Sequence, residues 1–491
     1  MKKLISALLV MAMLLGMFAF AAAEEPVEVR VSVSSLGNGW PATLEEDWVY
    51  QKILKDINVS FKLELVDDYW NAMGTRMDIY DAYMIDIDHL RTWGRDGFLL
   101  DITDLKETKL ASYFEWLGST KLSAAYVDGV LYGLPKLYDG SKSQLNVTVR
   151  QDWLDALNLK MPETIQDFYD VAYAFTYNDP DGNGQDDTLG LTAAKPSATG
   201  VFLFDQILGS FDTLMGNWII IRDGKVTNTL LQPGMVQGLE WCKKFVDAKI
   251  IDNDALTTAG TSAFISGKVG MIGVSWPGIW KAYGQQQIHE VNPNAVTSFF
   301  TTLKSEVGAE PAMFQGDLNS TNAIFAISAD ISEEKLDALI KYIDYITVGE
   351  GANLVYYGLE GEHWVYDDQG RIRMTENATA ANYISTYQLF SRKELEYLDA
   401  KFPEAKMVFD ETTAANRIWT YNSLVVEPEG MYLNDMEAYA RQQLLDFVYG
   451  DRELSQEEYD KFIQELNDLY QFDEYMESAR EQLVAQGIVE E

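Results

Sequence analysis

Residues 145–190 read LNVTVRQDWLDALNLKMPETIQDFYDVAYAFTYNDPDGNGQDDTLG, and this stretch decides the fold. Its first six residues alternate apolar and polar side chains, which predicts a half-buried strand. Two helical patterns follow and are separated at Met161-Pro162. Pro162 suits the first turn of the second helix, and Thr164 with Asp167 three residues later is a helix-capping signal. A strand followed by helices predicts an α/β domain.

An acidic loop ends this stretch and carries oxygen ligands at alternate positions. Positions 1, 3, 5, 7 and 9 of an EF-hand-type calcium loop are matched by Asp179, Asp181, Asn183, Gln185 and Asp187. Gly184 falls at position 6, where the turn needs positive φ. Position 12, normally a bidentate Glu, is Gly190, so Asp187 or an outside group must close the shell. We predict a structural Ca²⁺ site; the alternative is a metal-free Asp/Gly/Asn turn.

The chain on either side of this stretch repeats the alternation of strands and helices. Val27–Val33 alternates as a strand, residues 45–58 are amphipathic, and residues 61–66 alternate again. This β-α-β order predicts a parallel sheet. Asp128-Gly129 and Asp223-Gly224 are expected to form the turns of two hairpins.

The first 23 residues have the pattern of a secretory signal peptide. Lys2 and Lys3 precede an apolar run, and Ala21-Ala22-Ala23 provides a small-residue cleavage site. An uncleaved anchor is the alternative. The single cysteine, Cys242, excludes an intrachain disulfide and is expected to be a buried apolar residue.

The formal net charge of −38 disfavours binding to nucleic acids and anionic membranes. It also weighs mildly against a polyanionic substrate. The sequence contains no G-x-S-x-G, H-E-x-x-H or phosphate-loop motif, which favours a binding protein over an enzyme. A secreted glycoside hydrolase or lyase is the enzymatic alternative, because 76 acidic residues could pair by chance.

Several segments together carry a family resemblance. They are YGLPK (132–136), VRQDWLDALNLKMPETIQDFYDVAYAF (149–175), DPDGNGQDDTLGL (179–191), QPGMVQGLEWCKKFVDAKIIDND (232–254), FISGKVGMIG (264–273) and YYGLEGEHWVYDDQGR (356–371). This set resembles the family 1 extracellular solute-binding proteins, which are the capture subunits of carbohydrate ABC importers, in their large branch with a calcium loop. The first hundred residues of the mature chain match only loosely. A lipid-attachment cysteine, usual in Gram-positive members, is missing from the cleavage site.

The resemblance implies an α/β, two-lobed periplasmic-binding-protein-like fold of type II, with mostly parallel sheets and hinge crossings. Residues 24–144 plus approximately 323–400 are expected to form the N-terminal lobe, and residues 145–322 plus approximately 401–491 the C-terminal lobe. The implied protein is extracytoplasmic, acts as a monomer and delivers an oligosaccharide or other small solute to ABC permease subunits. A binding protein that serves a membrane sensor is a further alternative.

Ligand is expected between the lobes, where aromatic faces stack on sugar rings and polar groups bind hydroxyls. Trp276 directly follows a predicted strand, at the usual ligand edge of α/β sheets. The other candidates are Trp280, Tyr138, Asp139, Glu360, Trp40, Trp93 and Trp419. Core packing is the alternative for each tryptophan, and an ordinary turn is the alternative for Asp139. His363 beside Trp364 is expected to be a packed, hydrogen-bonded residue rather than a metal ligand.

Overall fold

The computed structural model describes residues 25–37, 39–118, 122, 125–136, 145–193, 201–274, 278–305, 307, 312, 315–317 and 323–490. The segment assigned as a signal peptide, residues 1–23, lies outside them. None of the helices in the described ranges combines the length and apolarity needed to cross a membrane.

The first part of the chain alternates strands and helices. Its elements are β1 (Val27–Val33), α1 (Trp48–Ile57), β2 (Val59–Leu65), α2 (Tyr69–Met73), β3 (Ala82–Ile85), α3 (Ile87–Arg95), α4 (Ala111–Leu117), β4 (Tyr126–Val127), β5 (Val130–Leu131) and β6 (Gly133–Pro135).

The middle part contributes a second group of strands and helices. Its elements are β7 (Asn146–Arg150), α5 (Gln151–Ala156), α6 (Ile165–Tyr177), β8 (Leu189–Ala193), α7 (Val201–Leu208), β9 (Ile219–Arg222), β10 (Lys225–Asn228), α8 (Met235–Asp247), α9 (Thr261–Ile265), β11 (Val269–Val274), α10 (Ala282–Val291) and β12 (Thr297–Phe300).

The last part is mainly helical. Its elements are β13 (Gln315–Asp317), β14 (Ile324–Ile327), α11 (Glu333–Thr347), α12 (Ala352–Tyr357), β15 (Trp364–Tyr366), β16 (Ile372–Met374), α13 (Glu394–Lys401), α14 (Lys406–Ala414), β17 (Ile418–Thr420), α15 (Leu433–Tyr449), α16 (Gln456–Tyr470) and α17 (Phe472–Ala485).

The first lobe is a five-stranded sheet in the order β2-β1-β3-β14-β6. β1 is parallel to both β2 and β3, whereas β14 is antiparallel to β3 and β6. Alternate residues of β1 enter a core with helices α1, α4 and α11, and the opposite face of the sheet packs on α2 and α3. The sheet therefore lies between two helical layers, as its pattern of alternation requires.

The second lobe is a four-stranded sheet in the order β12-β7-β11-β8. β11 is parallel to β8, but β7 runs antiparallel to both of its neighbours. One face packs on α6, α7, α8 and the C-terminal helices, and the other on α9, α10, α13 and α14. The two-lobed α/β fold is confirmed. Both sheets are mixed rather than mostly parallel, because strands that enter from the crossings run in the opposite direction.

The lobes are joined at the carboxyl edges of their parallel strands. Ile85 at the end of β3 pairs with Ile324, which in turn pairs with Pro135 at the end of β6. In the second lobe, Val274 at the end of β11 pairs with Asn146 at the start of β7. The chain therefore leaves one carboxyl edge and enters the other. This places the two ligand edges of the sheets beside the same gap.

Several local predictions are confirmed and two are wrong. β7, expected to be half-buried, is buried at every residue because both faces of its sheet are covered. Hairpins turn at Asp128-Gly129 and at Asp223-Gly224. Thr164 caps α6, and the Asp167 side chain returns the bond in a capping box. Pro162 does not lie in the first turn of that helix, because the cap at Thr164 starts the helix at Ile165.

Candidate functional site

The acidic loop connects α6 to β8 and is folded by its own carboxylates. Asp179 has a φ of +47°, and its two carboxylate oxygens accept from the backbone N–H groups of Asn183 and Gly184, each at 3.0 Å. Gly184 has a φ of +76° with no atom near its missing Cβ. The turn that an EF-hand loop needs at its sixth position is therefore present.

The carboxylates of Asp181 and Asp187 are both bonded to the side chain of Asn183. The side-chain amide of Asn183 donates to Asp181 at 2.9 Å and to Asp187 at 3.2 Å. The pKa of the Asp181 carboxyl is raised, first by partial desolvation and then by the neighbouring Asp179 and Asp187. A cation bound among these three carboxylates would relieve the repulsion between their charges. In the described ranges, no three Asp, Glu, His or Cys side chains already form a metal-binding group.

The missing position-12 Glu has a packing explanation. Gly190 lies at the start of β8, directly against α6, and a Cβ atom there would lie 2.4 Å from the carbonyl oxygen of Ala172. Such an approach is possible only for glycine. A strand replaces the second helix of an EF-hand, and its close contact with α6 excludes a liganding side chain.

On the first lobe, an aromatic cluster lies after the carboxyl end of β1. Trp40 stacks on Tyr387 with ring centroids 5.6 Å apart, and it meets Tyr383 edge-on at 5.7 Å. Both tyrosine hydroxyls donate to Asp47, at 3.1 Å from Tyr383 and 2.6 Å from Tyr387. Asp47 also accepts the N–H groups of Val49 and Tyr50 and so caps α1. The buried carboxylate fixes the surface on which Trp40 rests.

A second aromatic pair at this edge was missed by the sequence analysis. Trp70, in α2 after β2, is 42% exposed and stacks on His89 with ring centroids 4.0 Å apart. His89 Nδ1 lies 2.7 Å from Asp86, which caps α3. The sequence contained a signal for this pair, because Trp70 follows the predicted strand at residues 61–66, and Trp276 was selected on the same ground.

Arg91 of α3 reaches from the first lobe to the second. Its guanidinium donates to the backbone carbonyl of Ser423 at 3.1 Å, and burial lowers the pKa of Arg91. Near this contact in sequence, Trp419 is 43% exposed on β17. Asn422 accepts from the N–H of Ile219 and so anchors the segment to the second lobe. The second lobe therefore presents an exposed tryptophan in the segment that Arg91 contacts.

Two tryptophans proposed as sugar platforms lie in cores. Trp280 is 8% exposed, packs on Phe299, and donates from Nε1 to the hydroxyl of Thr148 at 2.9 Å. Trp93 is 7% exposed and packs beside Tyr83. These contacts favour the core alternative, because neither ring offers a free face to a ligand.

The loop that follows α12 holds Glu360 and His363. Glu360 is exposed, whereas His363 is buried and accepts the N–H of Leu359 at 3.0 Å through Nδ1. The imidazole stacks on Trp48 at 5.1 Å, which confirms its packed, hydrogen-bonded role. Tyr138, Asp139 and Trp276 fall outside the described residues.

Comparison with known proteins gives sequence matches to saccharide-binding proteins. No family model matches the chain. It is 28% identical over 241 residues to the polygalacturonan/rhamnogalacturonan-binding protein YtcQ of Bacillus subtilis (strain 168), covering 48% of this chain and 46% of YtcQ. It is 26% identical over 180 residues to FusA, a fructooligosaccharide ABC transporter substrate-binding protein of Streptococcus pneumoniae serotype 4, covering 35% of this chain and 33% of FusA. Each match spans less than half of the relative.

Solved structures match almost the whole chain. FusA in complex with kestose superposes with a TM-score of 0.70 at 16% identity, covering 94% of this chain and 99% of FusA. A FusA EF-hand mutant gives 0.68 at 16% identity, with coverage of 94% and 99%. The alginate-binding protein AlgQ2, without calcium ion, gives 0.67 at 15% identity, with coverage of 93% and 98%. The chain resembles the solute-binding proteins of carbohydrate ABC transporters, as the sequence analysis predicts. The resemblance covers nearly half of the chain in sequence and nearly all of it in fold.

Proposed function

We propose that this protein is the extracytoplasmic solute-binding protein of an ABC importer and captures an oligosaccharide between its lobes. One observation carries the proposal. The carboxyl edges of the two sheets meet at the interlobe crossings, with an exposed tryptophan on the first-lobe edge and another in the second-lobe segment that Arg91 contacts. Trp70 and Trp419 suit the apolar faces of sugar rings.

Capture would work by hinge closure. A ligand that contacts both lobes in the closed form, and one lobe in the open form, shifts the equilibrium toward closure by its difference in affinity. The hydrogen bond from Arg91 to the Ser423 carbonyl joins the two lobes, as a contact formed on closure would. Trp40 and Glu360 are proposed as further contacts on the first lobe. The importer's permease subunits would receive the ligand, and the protein would carry out no reaction.

The relatives support a saccharide as the ligand class. YtcQ is named for binding polygalacturonan and rhamnogalacturonan, and FusA for fructooligosaccharide transport. The ABC importer partner follows from the same likeness. Binding to a saccharide in this gap requires no catalytic pair, which agrees with the absence of hydrolase motifs from the sequence.

We further propose that the acidic loop binds a structural Ca²⁺ ion. The carboxylates of Asp179, Asp181 and Asp187, the side-chain oxygen of Asn183 and the backbone carbonyl of Gln185 supply the oxygen ligands that this ion prefers. The ion would fix the connection between α6 and β8 and would take no part in ligand chemistry. The FusA EF-hand mutant and the calcium-free AlgQ2 structure support this assignment.

Removal of calcium is expected to lower thermal stability, and Asp181→Ala is expected to abolish that response. An ion held at 100 times its dissociation constant stabilises the folded state by about 2.7 kcal/mol. Differential scanning fluorimetry with Ca²⁺ and with EDTA measures this difference. Asp186→Ala is the matched control, because Asp186 lies in the same loop but outside the alternating positions. Equal calcium responses in the two variants would remove the assignment.

Trp70→Ala is expected to weaken oligosaccharide binding by about 10-fold or more, since stacking area on the sugar ring is lost. The measurement is calorimetric titration with a panel of neutral and acidic oligosaccharides, followed by titration of the variant with the best ligand. Tyr173→Ala is the control, because Tyr173 of α6 is 46% exposed, close to the 42% of Trp70. A chain that responds to calcium but to no saccharide in the panel contradicts the proposed ligand class.

A further inference from the structure

One hydrogen bond joins the two lobes away from the crossing segments. Arg91, on α3 of the first lobe, donates from Nη2 to the backbone carbonyl of Ser423 on the second lobe at 3.1 Å. Among the hydrogen bonds between described residues, it alone links residues 25–136 to residues 406–490. Both partners belong to the chain, so the bond can form without a ligand.

The donor of this bond is fixed to the first lobe. Leu90 and Trp93 of α3 are buried in the first-lobe core, and Asp86 caps the helix. Asp88 lies 3.7 Å from the Arg91 guanidinium on the same helix and is 84% exposed, so its charge steadies the side chain from within the first lobe. The position of Arg91 therefore follows the first lobe as a whole.

The acceptor of the bond is fixed to the second lobe. The side-chain oxygen of Asn422, the residue before Ser423, accepts from the N–H of Ile219 on β9 at 2.8 Å. Leu424, the residue after it, is buried in the second-lobe core. The Ser423 carbonyl therefore moves with the second lobe, and its bond to Arg91 breaks when the lobes separate.

The bond leaves the other donors of Arg91 in contact with water. A guanidinium has five N–H groups and stays charged, so a buried donor without an acceptor would be costly. The Nε and Nη1 atoms of Arg91 are not among the buried, unpartnered nitrogens of the described residues, which means that they reach solvent. The charge-assisted bond therefore forms without such a cost, and its net contribution favours the closed form.

We infer that Arg91 is an interlobe latch, whose bond to Ser423 stabilises the closed form by the same amount whichever saccharide is captured. This inference rests on the proposed function and adds to it a residue that positions the two lobes. Closure that forms the bond brings the segment of Trp419 toward the first-lobe edge that carries Trp70. A fraction of the protein is therefore closed before a ligand arrives, and the apparent affinity scales with that fraction.

The first test measures lobe closure without a ligand. Small-angle X-ray scattering of the full-length protein should give a larger radius of gyration for Arg91→Gln than for the parent protein, because the open form is more extended. Arg91→Lys keeps a charged donor and should recover part of the difference. Arg95→Gln is the matched control, because it removes the same charge from α3, while Arg95 pairs with Asp128 inside the first lobe at 2.9 Å.

The second test measures affinity for kestose, trigalacturonate and maltotriose by calorimetric titration. Each of these saccharides that the parent protein binds should bind about 10-fold more weakly to Arg91→Gln, and by the same factor, since the lost bond comes from a charged donor and involves no ligand atom. Arg95→Gln should bind them as the parent protein does. The melting temperature of Arg91→Gln should match that of the parent protein, whereas a merely structural role would lower it.

The outcomes separate the latch from the proposed function. An unchanged radius of gyration in Arg91→Gln overturns the latch and leaves saccharide capture intact. Loss of affinity for one saccharide but not for another also overturns it, because Arg91 would then be a direct ligand contact. If the parent protein binds no saccharide, the proposed function fails, while the scattering comparison still decides whether Arg91 holds the lobes together.

Discussion

Gly190→Glu is expected to destabilise the second lobe by about 4 kcal/mol or more, the range of severe packing defects. The substitution would complete the EF-hand ligand pattern in the sequence. A Cβ atom at this position meets the Ala172 carbonyl oxygen at 2.4 Å, and its next neighbours are also backbone atoms. Backbone cannot rotate away as a side chain does. Relief requires β8 to separate from α6, which would open the core around Phe168 and Phe175.

Urea and thermal unfolding measure this effect, and two other variants isolate its cause. Gly190→Ala should lose most of the same stability, since the clash begins at Cβ. Gly278→Glu adds the same side chain where a Cβ meets nothing within 4 Å, and should be nearly neutral. A folded Gly190→Glu protein with tighter calcium binding would show that the packing argument is wrong.

Asp47→Ala is expected to cost about 3 to 5 kcal/mol, from the loss of a helix cap and of the acceptor for two tyrosine hydroxyls. The carboxylate accepts from Val49, Tyr50, Tyr383 and Tyr387. Burial and the Asp47 charge raise the pKa of Tyr387 far above its usual value, so this hydroxyl stays protonated and must donate. Without Asp47 it has lost that acceptor in the core.

Asp47→Asn separates the helix cap from the tyrosine hydrogen bond. The asparagine carbonyl oxygen still caps α1, but its amide nitrogen cannot accept from the Tyr387 hydroxyl. The asparagine variant should lose about half as much stability as Asp47→Ala. Trp40 rests on Tyr387, so the alanine variant should also alter tryptophan fluorescence. An unfolding free energy within 1 kcal/mol of the parent protein for Asp47→Ala would contradict this account.

The local elements of the fold followed from short-range patterns. Alternation located β1 and β7, and the Thr164–Asp167 pair indicated the cap of α6, although Pro162 was expected inside its first turn. Asp-Gly pairs located both hairpin turns because few residues tolerate positive φ there. The direction of a strand relative to its neighbours could not be predicted from such patterns. β14 and β7 run antiparallel to their neighbours because of where the chain crosses between lobes, and no local pattern records that.

The site was less predictable than the fold. Trp280 and Trp70 both follow strands in sequence, yet the first is core and the second exposed. The difference comes from Phe299 and Thr148, which cover Trp280, while Trp70 stacks on His89, meets Tyr69 edge-on and stays 42% exposed. Burial depends on residues distant in sequence, so composition and spacing could not rank these tryptophans.

By itself the sequence determined the alternation of strands and helices and the alternating oxygen ligands of the acidic loop, whereas the two-lobed class was implied by the family resemblance. The two alternations depend on neighbours a few residues apart, whose periodicity can be read directly. Only the tertiary structure decided why Gly190 replaces a liganding glutamate and which tryptophans are exposed. Each of those depends on groups brought together from distant segments, and their contact distances exist only once both lobes have folded.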